Sequence, residues 1–386
     1  MVSIMRAITP IDSMAQCTHL KDHRYSCLNN SVQVNLLNIY PHIPEIKSRF
    51  LINIAIFCFC FILGICGNSS ILTIIRSVLS KRTSNRQNKR QKDYAFYYII
   101  SLCVVDMVML MSLPTCILDL IIGFWLFGTW ICKLHHVSSS VGRVISTFLI
   151  TAMSFDRYMA VCHPLKLTYR SKKFVTATCA SAAFLALILL SPLLGYAKSI
   201  EILHGQFEQY DNNLGIYNVT RVRFYKCIDN MPVNVAFLFT ISTFILGFLI
   251  PLILIVFFNA QIISRLYRHT KVLPTSGIPL LRISMYTILI AVLYFVCWTP
   301  YWVTNIYSFF TTGESESNHQ ELLTFIMYCV HGLPYIGCAS NWILYGLLNT
   351  QLQVKQRNNT NGNNNQQSLR LDCNTGNIEK SSTYQL

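Results

Sequence analysis

The sequence predicts an all-α integral membrane protein, a bundle of seven transmembrane helices with the N-terminus outside. Three observations carry this expectation. Charged residues make up 12% of the 386, hydrophobic residues 53%, and mean hydropathy is +0.42; a soluble domain carries about 25% charged residues to cover its surface. Seven apolar runs each reach the roughly 20 residues that a helix needs to cross hydrocarbon. Lys and Arg collect in alternate connections between those runs, the asymmetry that orients membrane proteins. The same composition excludes a disordered chain, which would lack the apolar residues. With 16 Gly and 15 Cys, collagen-like and disulfide-scaffold architectures fail as well.

The first run is Phe50 to Ile75, without a charge, and the second is Tyr94 to Ile122, with two aspartates. The third extends from Trp130 to about Tyr158, the fourth from Phe174 to Ala197, and the fifth from Val233 to Ser264. Ile283 to Phe310 and Leu322 to Leu348 complete the set. Each is continuous, whereas barrel strands would alternate apolar and polar over about 10 residues. The connections after spans one, three and five, with the C-terminal tail, hold 20 of the 31 Lys and Arg. The N-terminal segment and the other three connections hold 10, and Arg143 lies inside a span. The first set is therefore expected in the cytoplasm. The net charge of +15 becomes a topology signal rather than a nucleic-acid surface.

Three regions follow: an extracellular segment over 1–49, the seven-helix unit over 50–348, and a disordered Asn- and Gln-rich cytoplasmic tail over 349–386. The first 20 residues lack a compact apolar stretch of the kind a cleavable leader carries, so the first span is expected to direct insertion. Asn29 and Asn218 head glycosylation sequons on segments predicted outside. Cys17 and Cys27 also lie there, and the sequence leaves open whether they pair.

Short motifs fall one per span. The third span ends in Asp156-Arg157-Tyr158 followed by Ala160-Val161-Cys162-His163-Pro164-Leu165. Gly67-Asn68 lies in the first span, Leu102 and Asp106 in the second, Cys297-Trp298-Thr299-Pro300 in the sixth, and Asn341-Trp342-Ile343-Leu344-Tyr345 in the seventh. This ordered set, across roughly residues 50 to 352, resembles the rhodopsin-like (class A) G-protein-coupled receptors. The resemblance implies a multi-pass plasma-membrane receptor that activates heterotrimeric G proteins, with arrestin as a further partner. It implies a disulfide between Cys132 and Cys227. It also implies a set of activation switches in Asp156, Arg157, Tyr158, Trp298, Pro300, Asn341 and Tyr345. Arg157 would snorkel at the cytoplasmic end and pair with Asp156. Arg157, Tyr345 and basic residues such as Lys172, Arg265 and Arg268 would rim the G-protein cavity. No acid lies between Leu280 and Ser284 to complete an ionic lock.

Asp106, mid-span, must find hydrogen bonds or a cation. The resemblance implies a sodium site with Ser146 and Asn341; a hydrogen-bonded structural carboxylate is the alternative. No other cofactor or metal is expected.

For the ligand, the resemblance points to a peptide. Amine receptors carry an Asp where Ser139 stands, and opsins a Schiff-base lysine where Tyr335 stands. Pro114, eight residues after Asp106, and Phe124-Trp125-Leu126-Phe127-Gly128 before Cys132-Lys133 are similar to the somatostatin, opioid and chemokine branch, with an allatostatin-like cast. The long segment from Lys198 to Met231 is β-prone, and in peptide receptors its counterpart forms a hairpin lid. The predicted pocket comprises Ser139, Arg143, Trp298, Tyr301, Trp302, Asn305, Tyr328, His331 and Tyr335. Its aromatic members suit ligand anchoring. Arg143 requires an anion when buried, supplied either by Asp106 or Asp119 or by a ligand carboxylate or carbonyl.

Two departures mark a divergent member. Trp342 replaces the proline of the seventh-span motif, and the fourth span has no Trp. A non-peptide ligand, or an orphan receptor with weak coupling, is the alternative these leave. Transporters favour internal repeats with broken helices, and none are visible. An intramembrane aspartyl protease would need paired aspartates, which Asp106 and Asp119, in one helix, do not supply.

Overall fold

The computed structural model describes residues 16–20, 24–29, 32–41, 48–84, 95–163, 171–211, 216–272, 278–310, 325–348 and 350. The tail expected over 349–386 otherwise lies outside the described residues, as do the side chains of Asn29 and Asn218. Among the described residues, seven helical rods form the bundle. They are α1 (Ser48–Ser84), the pair α2 (Ala95–Leu110) and α3 (Leu113–Ile122), α4 (Gly128–Cys162), and α5 (Lys172–Tyr196). Then come α6 (Val233–Phe244) running into α7 (Ile250–Val272), α8 (Ile278–Phe310), and α9 (residues 325–348). Among the described residues, six helices are long and apolar enough to cross a membrane; α9 is the seventh rod. Helices are the expected form because hydrocarbon offers backbone groups no other partner. Their outward faces carry large apolar side chains such as Phe59, Phe184 and Val296, each above 60% exposed. A soluble bundle would hide these; in a bilayer they meet lipid.

The second and fifth rods are irregular, each for a local reason. Pro114 has no N–H to give the Leu110 carbonyl, so the second rod breaks at Met111–Ser112. Ser112 bridges the break: its hydroxyl donates to the Met109 carbonyl at 2.7 Å and meets the Tyr335 hydroxyl at 2.9 Å. In the fifth rod a π-helical turn, Ile245–Leu249, precedes Pro251. Thr147 on α4 donates to the Gly247 carbonyl there at 2.7 Å. Next to this proline the helix thus has a widened turn whose carbonyl a neighbouring helix satisfies.

At α9 the helix runs straight through Trp342. The indole lies against Gly67 of α1, where an added Cβ would overlap the ring. Only glycine admits that approach. Asn68 ties the same two helices, its amide donating to the Gly64 and Cys338 carbonyls at 2.9 and 3.3 Å.

One end of the bundle carries a five-stranded sheet in the order β1-β2-β3-β5-β4. Its strands are β1 (Gln16–Leu20), β2 (Arg24–Asn29), β3 (Val32–Ile39), β4 (Lys198–Asp211) and β5 (Ile216–Ile228). The expected hairpin between spans four and five is β4–β5, paired antiparallel. The N-terminal strands are additional. β3 joins the free edge of β5 in parallel, from Val34 opposite Tyr217 to Ile39 opposite Val222, and so covers an edge otherwise open to pairing. β1 and β2 place Cys17 directly opposite Cys27. The Cys132–Cys227 disulfide fastens β5 to the start of α4. The Trp125 N–H donates to the Tyr225 carbonyl at 2.8 Å, and Tyr40 stacks on Phe124 at 5.5 Å.

Candidate functional site

Beneath the sheet end, the helices enclose a cavity of about 480 Å³, within the range of small-ligand sites. Ser139, Arg143, Trp298, Tyr301, Trp302, Asn305, Tyr328, His331 and Tyr335 all line it. They come together because α4, α8 and α9 each turn a polar or aromatic stripe inward. Further lining residues escaped the sequence reading: His135, His136 and Ser140 on α4, Phe239, Thr240 and Thr243 on the fifth rod, and Asp229 after β5. His136 had a signal, since 136, 139/140 and 143 share one helical face. The fifth rod had a weaker one: Thr240 and Thr243, three apart on one face, interrupt a largely apolar helix.

Arg143 is 7% exposed. Its guanidinium donates to the Tyr301 hydroxyl and to Ser140 Oγ, the latter at 2.9 Å. The rings of Tyr301, Trp302 and Phe239 lie 5.3, 5.6 and 5.9 Å from its central carbon. Neither acid that could have neutralised it does so. Asp119 faces Lys226 of β5 at 3.5 Å, and Asp106 is engaged deeper in the bundle. Among the described residues Arg143 has no acidic partner.

Trp298 forms the floor. It stacks on Tyr294 at 5.8 Å and meets Tyr301 edge-on at 5.5 Å. It also lines a second, much smaller cavity of about 10 Å³ with Asp106, Ser146 and Asn341, room for about one water-sized particle. Asp106 Oδ2 accepts from Asn341 Nδ2 and from the Tyr345 hydroxyl, both at 3.1 Å. Asp106 Oδ1 and Ser146 Oγ are buried without a hydrogen-bond partner. Two unspent oxygens facing one small space fit a hard cation such as sodium. Ser146 does not bond Asp106 directly.

Tyr345, expected to rim the far cavity once that opens, is fully buried here, as is Arg157. Asn341 and Tyr345 stand one turn apart on one face of α9, and both reach Asp106. At the far end of α4, Arg157 Nη2 donates to Asp156 Oδ2 at 2.8 Å, and both residues are buried. Tyr158 lies against Phe258 of α7 at 5.5 Å, and its hydroxyl meets His163 Nε2 at 3.2 Å. Pro300 lies inside α8.

Residues 83–345 match the 7 transmembrane receptor (rhodopsin family). The chain is 39% identical over 300 residues to the probable G-protein coupled receptor C06G4.5 of Caenorhabditis elegans, covering 78% of this chain and 66% of that one. It is 34% identical over 324 residues to neuropeptide receptor 18 of the same organism, covering 79% of this chain and 66% of that one. It is 24% identical over 309 residues to human chemerin-like receptor 2, with 79% and 78% covered. The chain thus spans just under two thirds of the length of the two nematode relatives. With seven helical rods, an inward polar stripe and a family match across most of the bundle, the chain is a multi-pass membrane protein and belongs to the rhodopsin family of seven-transmembrane receptors.

Proposed function

We propose that the chain is a plasma-membrane receptor, N-terminus outside, that binds an extracellular neuropeptide and activates heterotrimeric G proteins, with arrestin as a further partner. The observation that carries this reading is the 480 Å³ cavity under a disulfide-anchored hairpin, whose floor residue Trp298 also lines the Asp106 cavity. A ligand touching Trp298 therefore acts on a residue shared with the polar centre of the bundle. Binding would favour the conformation in which α8 swings outward on Pro300, to the extent that the ligand's affinities for the two states differ. Asp106, Ser146 and Asn341 would hold a sodium ion in the resting state, adding a charge that balances the Asp106 carboxylate. Arg157, released from Asp156, would meet the G protein. Asn29 and Asn218 would be glycosylated. The relation to a neuropeptide receptor supports the ligand class. No covalent chemistry is assigned to the chain.

The test is a calcium and cyclic-nucleotide assay in cells expressing the chain, screened against a neuropeptide library with and without a promiscuous G protein. A saturable response that disappears when Cys132 and Cys227 are replaced by serine is expected. Silence against peptides, with surface expression confirmed and a response to small organic ligands instead, would overturn the peptide assignment.

A further inference from the structure

Arg143 is a buried cation without an acidic partner among the described residues. More than nine tenths of its surface is covered, it lines the large cavity, and its Nε has no hydrogen-bond partner. Ring faces and hydroxyls soften the cost of burying a guanidinium, but they do not neutralise it. The neighbouring polar atoms repeat the pattern. His136 Nε2, Trp302 Nε1 and His331 Nε2 are also buried without partners and line the same cavity. Trp302 Nε1 is a donor only, and each imidazole Nε2 is a donor in its Nε2–H tautomer. The wall therefore offers a surplus of donors around one fixed positive charge. Its only acidic lining residue among those described, Asp229, is exposed and makes no ion pair with Arg143. A group that satisfies this wall carries negative charge and several acceptor lone pairs, with a planar fork to match the guanidinium.

Resting on the peptide-receptor reading above, we infer that Arg143 receives a carboxylate of the ligand, and that a peptide enters this cavity C-terminus first as the free acid. Depth and charge select the C-terminus. Arg143 follows Cys132 by eleven residues, about 16 Å along the helix. A cavity of 480 Å³ at that depth has room for a chain end rather than a loop threaded in and out. Of the two chain ends, the N-terminal ammonium would meet Arg143 as a like charge. The α-carboxylate meets it as a bidentate acceptor, and an amidated terminus would leave the charge unanswered. An Asp or Glu side chain next to the terminus is the other source of the same group.

The test uses the full chain purified in lipid nanodiscs and two random tetrapeptide pools, one ending in the free carboxylate and one amidated. Retained peptides are measured by mass spectrometry on wild type, Arg143→Gln and Arg143→Lys. Free acids should be retained about 10- to 100-fold better than amides on wild type, the range that a charge-assisted hydrogen-bond pair supplies. That preference should vanish in Arg143→Gln and persist in weakened form in Arg143→Lys, which keeps the charge and loses the fork. Arg143→Gln should show an apparent Tm no lower than wild type, because an unpaired buried charge has been removed. Retention of amidated peptides only when they bear Asp or Glu, dependent on Arg143, supports the carboxylate site and assigns it to a side chain. Equal retention of both pools, retention of neither, or an acid preference surviving in Arg143→Gln overturns the inference. Retained acids that fail to stimulate nucleotide exchange on G proteins would sink the receptor reading and leave the carboxylate site standing.

Discussion

Two buried arginines stand on the same helix, fourteen residues or about 21 Å apart, and they are treated in opposite ways. Arg157 has its counter-charge next to it in the chain, with Asp156 at 2.8 Å. Arg143 has rings and hydroxyls but, among the described residues, no acid. Burial alone cannot explain both, since each is under 10% exposed. The two ends of the bundle thus differ in whether the chain itself supplies the counter-charge. At the Arg157 end the chain supplies the anion itself, and in the proposed function that anion would be exchanged for the G protein. At the Arg143 end no described residue supplies one, and in the proposal above the ligand would.

The largest effect should come from breaking the complete pair. Asp156→Asn leaves Arg157 buried with a neutral neighbour, and loss of one partner of a buried pair costs about 3–5 kcal/mol. The solubilised receptor should lose apparent Tm, and basal nucleotide exchange should rise as Arg157 is freed. Unchanged stability and basal activity would remove the contrast between the two ends.

Next in size is the polar centre between them. Tyr345→Phe deletes one donor to Asp106 Oδ2 and leaves Asn341 in place, a loss of about 1.5–3 kcal/mol for a hydrogen bond to a charged group. Thermal denaturation would report it, and sodium should protect the variant more than wild type if the ion and Tyr345 steady the same carboxylate. Equal sodium protection would separate the two.

The smallest effect belongs to the exposed pair at the sheet end. Lys226 and Asp119 are each about 30% exposed, and pairs of that kind contribute under about 1 kcal/mol. Lys226→Ala should leave Tm nearly unmoved. A rise instead would mean that Asp119, once released, turns to Arg143 and neutralises it, which would weaken the claim that Arg143 waits for a ligand.

Much of this architecture was legible beforehand because membrane helices declare themselves by length and apolarity, and inward faces by the polar residues that interrupt them. The nine residues that share the large cavity stood out on that ground. The N-terminal strands did not, because β3 owes its place to an edge of β5 some 180 residues away, and local pattern carries no trace of that pairing. The π turn before Pro251 was legible as a proline but not as a widened turn, since its geometry depends on Thr147 of another helix. The contact of Tyr345 with Asp106 joins α9 to α2, which local pattern does not reveal. The choice of Arg143 between internal acids and a ligand turned on where Asp119 and Asp106 point, which only the packed bundle decides.

The most direct measurement sets peptide binding against G-protein nucleotide exchange for Arg143→Gln and Arg157→Ala, each at matched surface expression. Arg143→Gln should lose peptide binding, and exchange only as a consequence, while Arg157→Ala should bind peptide as wild type does and fail to stimulate exchange. An unmoved dose–response in the Arg143→Gln receptor, or normal coupling in the Arg157→Ala receptor, would contradict this.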